Sequence, residues 1–454
     1  MGFRQRQLSF ILLIFSIFVD VECPADTHYV SLSGTNNSPF LNWSDAATNP
    51  IWAVSAASAN DTVLVSNGVY YITNQIYSAS AITLKSLNGR DNTILDGMNG
   101  AYRCAYVEGA ASVFDGFTVT NYNYTAAGQY GIVYVFHVRN CLFVNNTTIG
   151  GCVRGYWNSV NTVTNCIFKN NTATLIGVGV FAGAGVASMT VAGCRFEGNK
   201  ANANSGGACD LRGLNNVISN CVIINNSAPS GGGGIVLASD TTNNFIVNCT
   251  ITGNVTATYG GGIYVLGQQT AIRNCSIIGN IATNQGGGIW GTNVTIQNCL
   301  IARNSSVTNI GGGIWMTNGI IESCTIVSNY AAVAGGGVYV AGPGSKGTNN
   351  VIYFNTGASA ANFTNTAGNT GLNYSCVIPA VDGTGNITNN PVLKNLTGGD
   401  YHLRMTSPCV NVGTNQSWMT GAVDLEGNPR ILNVIVDMGA YETRIWQGTI
   451  YSVP

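Results

Sequence analysis

Apolar and polar residues alternate in short runs along most of this chain, and the runs recur. Around Cys249 the order is Asn248-Cys249-Thr250-Ile251-Thr252-Gly253-Asn254, with Cys249 and Ile251 falling on one side and Thr250 and Thr252 on the other. A period of two predicts a strand with one buried face. The phrase returns at 274–280, 298–304 and 323–329. Each copy is followed by three glycines, a β-branched residue and an aromatic ring, as in Gly286-Gly287-Gly288-Ile289-Trp290 and Gly311-Gly312-Gly313-Ile314-Trp315.

The spacing converts the phrase into an architecture. Cys141, Cys166, Cys194, Cys221, Cys249, Cys275, Cys299 and Cys324 stand 25, 28, 27, 28, 26, 24 and 25 residues apart. Five residues beyond each stands an Asn: Asn146, Asn171, Asn199, Asn226, Asn254, Asn280, Asn304 and Asn329. A repeat of about 26 residues with three short strands and tight turns is one coil of a parallel β-helix. The Asn column is expected at a turn, its amides bonding between coils and its backbone left-handed. The Gly triplets are expected at a bend with no room for a Cβ. Before the regular part, strands are expected within 61–70, 82–85, 93–97 and 113–119, with a short helix near 52–59. The reading is one all-β domain, a single-stranded right-handed parallel β-helix: first cap and coil over 23–80, coils over 81–390, and a second cap over 391–442.

Composition narrows the function. Only 8% of residues are charged and the net charge is -1, so no nucleic-acid partner is expected. Residues 1–22, with Arg4 and Arg6 before an apolar run from Leu8 to Val19, read as a signal peptide too short to span a membrane. No later segment is apolar enough to cross one, so a secreted or cell-surface protein is expected. The 14 cysteines would suggest disulfides in an exported chain, but eight of them mark one repeat position. Side chains in register point the same way, which favours an unbridged ladder of buried thiols.

Three resemblances rest on particular residues. Phe168-Lys169-Asn170-Asn171, Phe196-Glu197-Gly198-Asn199 and the Ile-led versions at 251–254 and 277–280, with Gly-Gly-Gly-Ile at 286–289, resemble the polymorphic outer membrane protein repeat of the chlamydial type. Here Phe is mostly Ile and Ala mostly Gly, and an autotransporter is not expected. Residues 61–70 and 88–96 resemble the opening coils of exported pectin-lyase-like proteins. Ser407-Pro408-Cys409, Asp424-Leu425-Glu426-Gly427-Asn428-Pro429-Arg430-Ile431 and Val436-Asp437-Met438-Gly439-Ala440-Tyr441-Glu442 resemble the end module of bacterial choice-of-anchor Q proteins, leaving a tail at 443–454. These resemblances imply the fold but no single activity.

Candidate chemistry is sparse. Between Gly213 and Val381 the charged residues are Asp240, Arg273, Arg303, Glu322 and Lys346. Asp240 and Glu322 lie three coils apart, on the order of 14 Å, beyond the roughly 5–9.5 Å of a glycosidase pair. Aligning coils on the Gly triplet places Arg154, Phe181, Asp210, Val236, Tyr264, Trp290, Trp315 and Tyr339 in one outward column. Asp210-Leu211-Arg212, with Arg154, is the candidate catalytic spot for a polysaccharide lyase or glycoside hydrolase, and equally reads as a capping ion pair. His137 with Arg139 reads as a surface-strand pair. Tyr264, Trp290, Trp315, Tyr339 and Phe181 are the candidate glycan-binding rings, and mutual stacking is their bland alternative. No metal motif is present and no cofactor is expected, with Ca²⁺ the one alternative left open. The leading expectation is a non-catalytic protein that binds a polysaccharide or cell-surface glycan. Coils that self-associate end to end into fibres are a further alternative.

Overall fold

The computed structural model describes residues 25–125, 130–203, 206–366 and 371–444. The expected signal peptide, Cys23 and most of the tail lie outside them. The described residues form a parallel β-solenoid with coils of about 26 residues. Its first sheet has 14 strands, from Thr27–Val30 to Leu372–Asn373, and its third has 12, from Ile76–Ser78 to Phe363–Asn365. Between them runs a second sheet that includes Leu142–Val144, Ile167–Lys169, Arg195–Glu197 and their successors, followed in each coil by a short strand such as Thr147–Gly150. The pairings in these sheets are parallel and mostly in register from coil to coil, as in Phe143 with Phe168 and Phe168 with Phe196, with register shifts at Thr148/Gly150, Ala331/Ala334 and Asp96/Gly100.

Inward positions form continuous columns. Phe143, Phe168 and Phe196 stack at 4.9 and 4.8 Å with nearly parallel rings, and Ile223, Ile251, Ile277, Ile301 and Ile326 continue the line, all fully buried. The 13 cysteines among the described residues are free and buried. Burial pushes the Cys104 thiol up to about 12 and raises Cys152, Cys166 and Cys299 as well.

Left-handed residues turn the corners of each coil, two of them at fixed places beside the Cys and Asn columns. The residue before each ladder Cys has positive φ, as at Asn140 (56°) and Asn165 (50°), and so does the residue before each ladder Asn, as at Asn145 (55°) and Asn170 (54°). The expectation that the Asn column itself supplies the left-handed backbone is therefore corrected by one residue. Asn146 through Asn329 instead point inward and are buried. The Asn254 Nδ2 donates to the Ile223 carbonyl (2.9 Å) and to Asn280 Oδ1 (2.9 Å), while its Oδ1 accepts from Asn226 N and Nδ2 at 3.0 Å each. The ladder continues to Asn355 and Asn362.

Each glycine of the triplet answers a different constraint. Gly286 has φ +66°; a Cβ on Gly287 would lie 2.3 Å from the Gly312 carbonyl oxygen; one on Gly288 would press on the Asn304 amide at 3.0 Å.

The ends differ from the sequence expectation. The helix is Pro50–Ala56, starting earlier than expected because Asn49 caps it, accepting from Ile51 N, and Pro50 occupies the first turn. It packs on Thr27–Val30, Thr62–Val65 and Ile76–Ser78. The segment 391–442 lies along the flank of the late coils: Leu393, Tyr401, Leu403, Cys409 and Met438 form a second core with Leu300, Ala302, Val327, Val351 and Cys376. Arg303 donates to the Thr397 carbonyl (2.7 Å), Gln416 to Glu322 (3.0 Å) and Asn298 to the Val423 carbonyl (2.9 Å). Last-coil edges are met instead by the chain just after Ile378: Tyr374 N donates to Thr384, Ser375 N to Asn386 and Val377 N to Ile387.

Candidate functional site

The third sheet presents one residue per coil outward in a single register. The column runs Tyr77, Tyr106, Tyr134, Arg154, Phe181, Asp210, Val236, Tyr264, Trp290, Trp315 and Tyr339. Its positions from Arg154 onward are those given by aligning the Gly triplets. The inward neighbours Ile263, Ile289, Ile314 and Val338 are fully buried, which fixes the outward direction of the rings.

The column divides into three zones. In the late zone Tyr264, Trp290, Trp315 and Tyr339 are half-buried. Trp290 and Trp315 stack at 4.4 Å with planes 6° apart, and Tyr264 leans on Trp290 at 4.9 Å. The Trp290 indole N–H donates to Gln285 (3.2 Å). The Trp290 and Trp315 faces are thus turned to one another, so this pair offers edges and not the separate plates expected from the sequence.

In the middle zone the outward residues are covered. Phe181 is 4% exposed, Val236 3% and Asp210 2%. Phe181 packs against Tyr130 at 5.1 Å and offers no free face to a glycan. Arg154 and Asp210 share the column with Phe181 between them, while Arg212 follows the same strand, Cys209–Leu211. The structure brings this candidate catalytic trio to one sheet, but Asp210 is closed off from solvent. His137 and Arg139 do not pair with each other: His137 Nδ1 faces Thr162 Oγ1 (2.9 Å), and Arg139 donates to Asp115 (2.8 Å). Glu322 is occupied in docking the C-terminal segment, accepting from Gln297 (2.6 Å) and Gln416.

Sequence reasoning missed the early zone. Tyr106 stacks on Tyr134 at 5.2 Å, Tyr134 on Tyr156 at 3.9 Å, and Phe136 on Tyr156 at 4.4 Å. Arg103 lies 5.2 Å from the Tyr106 ring, 5.6 Å from Tyr124 and 5.5 Å from Tyr134; Arg154 lies 5.3 Å from both Tyr130 and Tyr134. Contacts of this kind with guanidinium are favourable by about 1 kcal/mol. Burial raises the Tyr134 phenol against the pull of Arg154 and Arg103, and raises Tyr124 in the same way, so both stay neutral near pH 7. The Gly triplet that aligned the later coils is absent before residue 154, which hid the continuation of the column. The signal available was the outward Tyr of Cys104-Ala105-Tyr106 and Ile132-Val133-Tyr134, each following buried residues.

Residues 103–280 match the family model described as "Right handed beta helix region". The fold is a right-handed parallel β-helix. No curated protein matches the chain. Among solved structures the β-helix resembles the PL6 family alginate lyase AlyGC, at 13% identity and a TM-score of 0.42, over 79% of this chain and 55% of that one. It also resembles pectate lyase Pel9A, at 18% identity and 0.36, over 93% and 98% of the two chains. The catalytic domain of a GH87 alpha-1,3-glucanase gives 15% and 0.37, over 77% and 69%. The chain spans just over half of the alginate lyase, and at these identities the likeness is one of fold. Among the described residues no group of His, Cys, Asp or Glu is arranged to hold a metal ion, and no helix is long and apolar enough to cross a membrane.

Proposed function

We propose that this β-helix is an exported, non-catalytic protein that binds polysaccharide along the outward column of its third sheet. The observation that carries the reading is the column itself: seven of the eleven positions named between Tyr77 and Tyr339, leaving aside the covered Phe181, are Tyr or Trp, all in one register. An extended glycan repeats at a length close to the ~4.8 Å strand spacing, so a chain laid along the axis over the late coils meets a ring at each step from Tyr264 to Tyr339. Aromatic side chains present apolar area together with a hydroxyl or indole N–H, which suits the mixed C–H and O–H surface of a sugar. The signal-like leader, the polymorphic outer membrane protein-type repeat and the choice-of-anchor Q-like ending support a location outside the cell.

The test is a glycan-array screen of wild type against Trp290→Ala/Trp315→Ala. Wild-type binding to a polysaccharide with a clear loss in the double variant is expected; equal binding by the two proteins would refute the role of the late rings. Release of unsaturated or reducing sugars from a bound polymer would overturn the non-catalytic part and return the lyase or hydrolase reading.

A further inference from the structure

Arg103 and Arg154 bring two positive charges to the early zone. Neither forms an ion pair with a carboxylate among the described residues. The Arg103 guanidinium makes one long hydrogen bond, to the Tyr130 carbonyl at 3.4 Å. The Nε of each arginine is shielded from solvent without a partner. Both side chains lie within 5.5 Å of the same Tyr134 ring, so two like charges share one small patch. Glu108 accepts from the Tyr77 hydroxyl at 3.3 Å. Guanidinium groups are always charged and present planar donors matched to carboxylate or sulfate oxygens. Two of them beside one aromatic ring concentrate positive charge and planar donors in a small area.

A sugar platform stands beside them. Trp157 is 62% exposed, one residue beyond the stacked Tyr156. Its indole lies over Gly185, where a Cβ would come within 3.2 Å of the ring. Two residues away, a Cβ on Gly183 would stand 3.8 Å from an Arg154 terminal nitrogen. The Gly183-Ala184-Gly185 loop therefore has the Trp157 ring at one end and, beside the Phe181 ring, the Arg154 guanidinium at the other.

We propose that Arg103, Arg154 and Trp157 form a subsite for a charged sugar, with the pyranose ring on Trp157 and its carboxylate or sulfate ester on the two guanidiniums. The proposal rests on polysaccharide binding by the third sheet and names the charge class of the polymer. With a net charge of -1, the protein as a whole has no generic attraction for polyanions, so selectivity for charge must come from a local site.

Affinity electrophoresis through dextran, carboxymethyl-dextran and dextran sulfate tests it, because the three polymers share a backbone and differ in charge. Wild type is expected to be retarded more by one or both charged polymers than by dextran. Arg103→Gln and Arg154→Gln should each weaken that retardation at least about tenfold, with circular dichroism and melting matching wild type as the control for folding. Trp157→Ala should weaken binding to charged polymer as well. Preference for the carboxylate or the sulfate polymer identifies the group, and either supports the site. Equal retardation of wild type and the double arginine variant by charged polymer overturns the subsite. Retardation by dextran alone overturns it while leaving the binding function intact, and failure of every polymer removes both.

Discussion

A buried primary amide is useful only if all four of its hydrogen-bonding positions are filled, and in the Asn ladder they are. Asn254 donates twice and accepts twice, joining the coils on either side through backbone and side chain. Replacing it with Ala strands the Ile223 carbonyl and the Asn226 backbone and side-chain donors. Each buried unsatisfied group costs roughly 1–3 kcal/mol, so Asn254→Ala should lower stability by at least about 3 kcal/mol, measurable as a drop in the urea midpoint. The column was legible from spacing alone, five residues past each Cys. Which Asn takes the left-handed backbone was not, because adjacent residues such as Asn170 and Asn171 have identical side chains. Only the inward or outward direction of each separates their duties. The same limit applied to the rings: alternation told that Trp290 and Trp315 point outward, but their planes depend on side-chain torsions that no pattern encodes.

Among the larger elements, the C-terminal segment shows how a charged group can hold a boundary. Arg430 is fully buried, donating to the Gly439 carbonyl (3.0 Å) and meeting Glu442 at 3.1 Å, with Asp424 and Asp437 near by. Burial pushes the Glu442 carboxyl from its ordinary 4.5 up to about 8 and raises Asp437. A folded-state value above the unfolded one means that the folded segment holds its proton more tightly. The associated stability is complete below about pH 4.5 and is lost as pH rises through about 8. The segment should therefore melt at lower temperature at pH 8.5 than at pH 5, and Glu442→Gln should flatten that dependence; an unchanged slope in the variant would argue against Glu442 as its source. The break in the repeat near residue 390 was visible in the sequence. Its placement along the flank was not, since the docking residues Asn298, Arg303 and Glu322 sit in two successive coils and look like ordinary surface polar groups.

Considered whole, the molecule is a one-dimensional stack in which each coil contacts chiefly its two neighbours, and stability is close to a sum over coils and their interfaces. Repetition made the fold legible in the chain. The same repetition concealed the candidate site, which lies where the repeat is least regular, between Arg103 and Gly185. Charges there meet only because Tyr106, Tyr134 and Arg154 occupy one register in coils of unequal length. Functional departures from a repeat are visible only against the coordinates that define its columns.

Paired corners of left-handed backbone give every coil the same entry and exit, so the chain's length becomes a variable that can change in whole units. Removing residues 255–280 joins Asn254 to Ile281 and leaves Cys, Asn and Gly columns in step. This shortened protein should fold, with β-rich circular dichroism and a cooperative melt, and should carry one ring fewer, Tyr264, on its outward stripe. Removing 255–267 instead would drive the following inward residues toward solvent and should yield no soluble protein. A family built on such coils can lengthen or shorten its binding face by duplication and loss, fitting it to longer or shorter polymers without designing a new core.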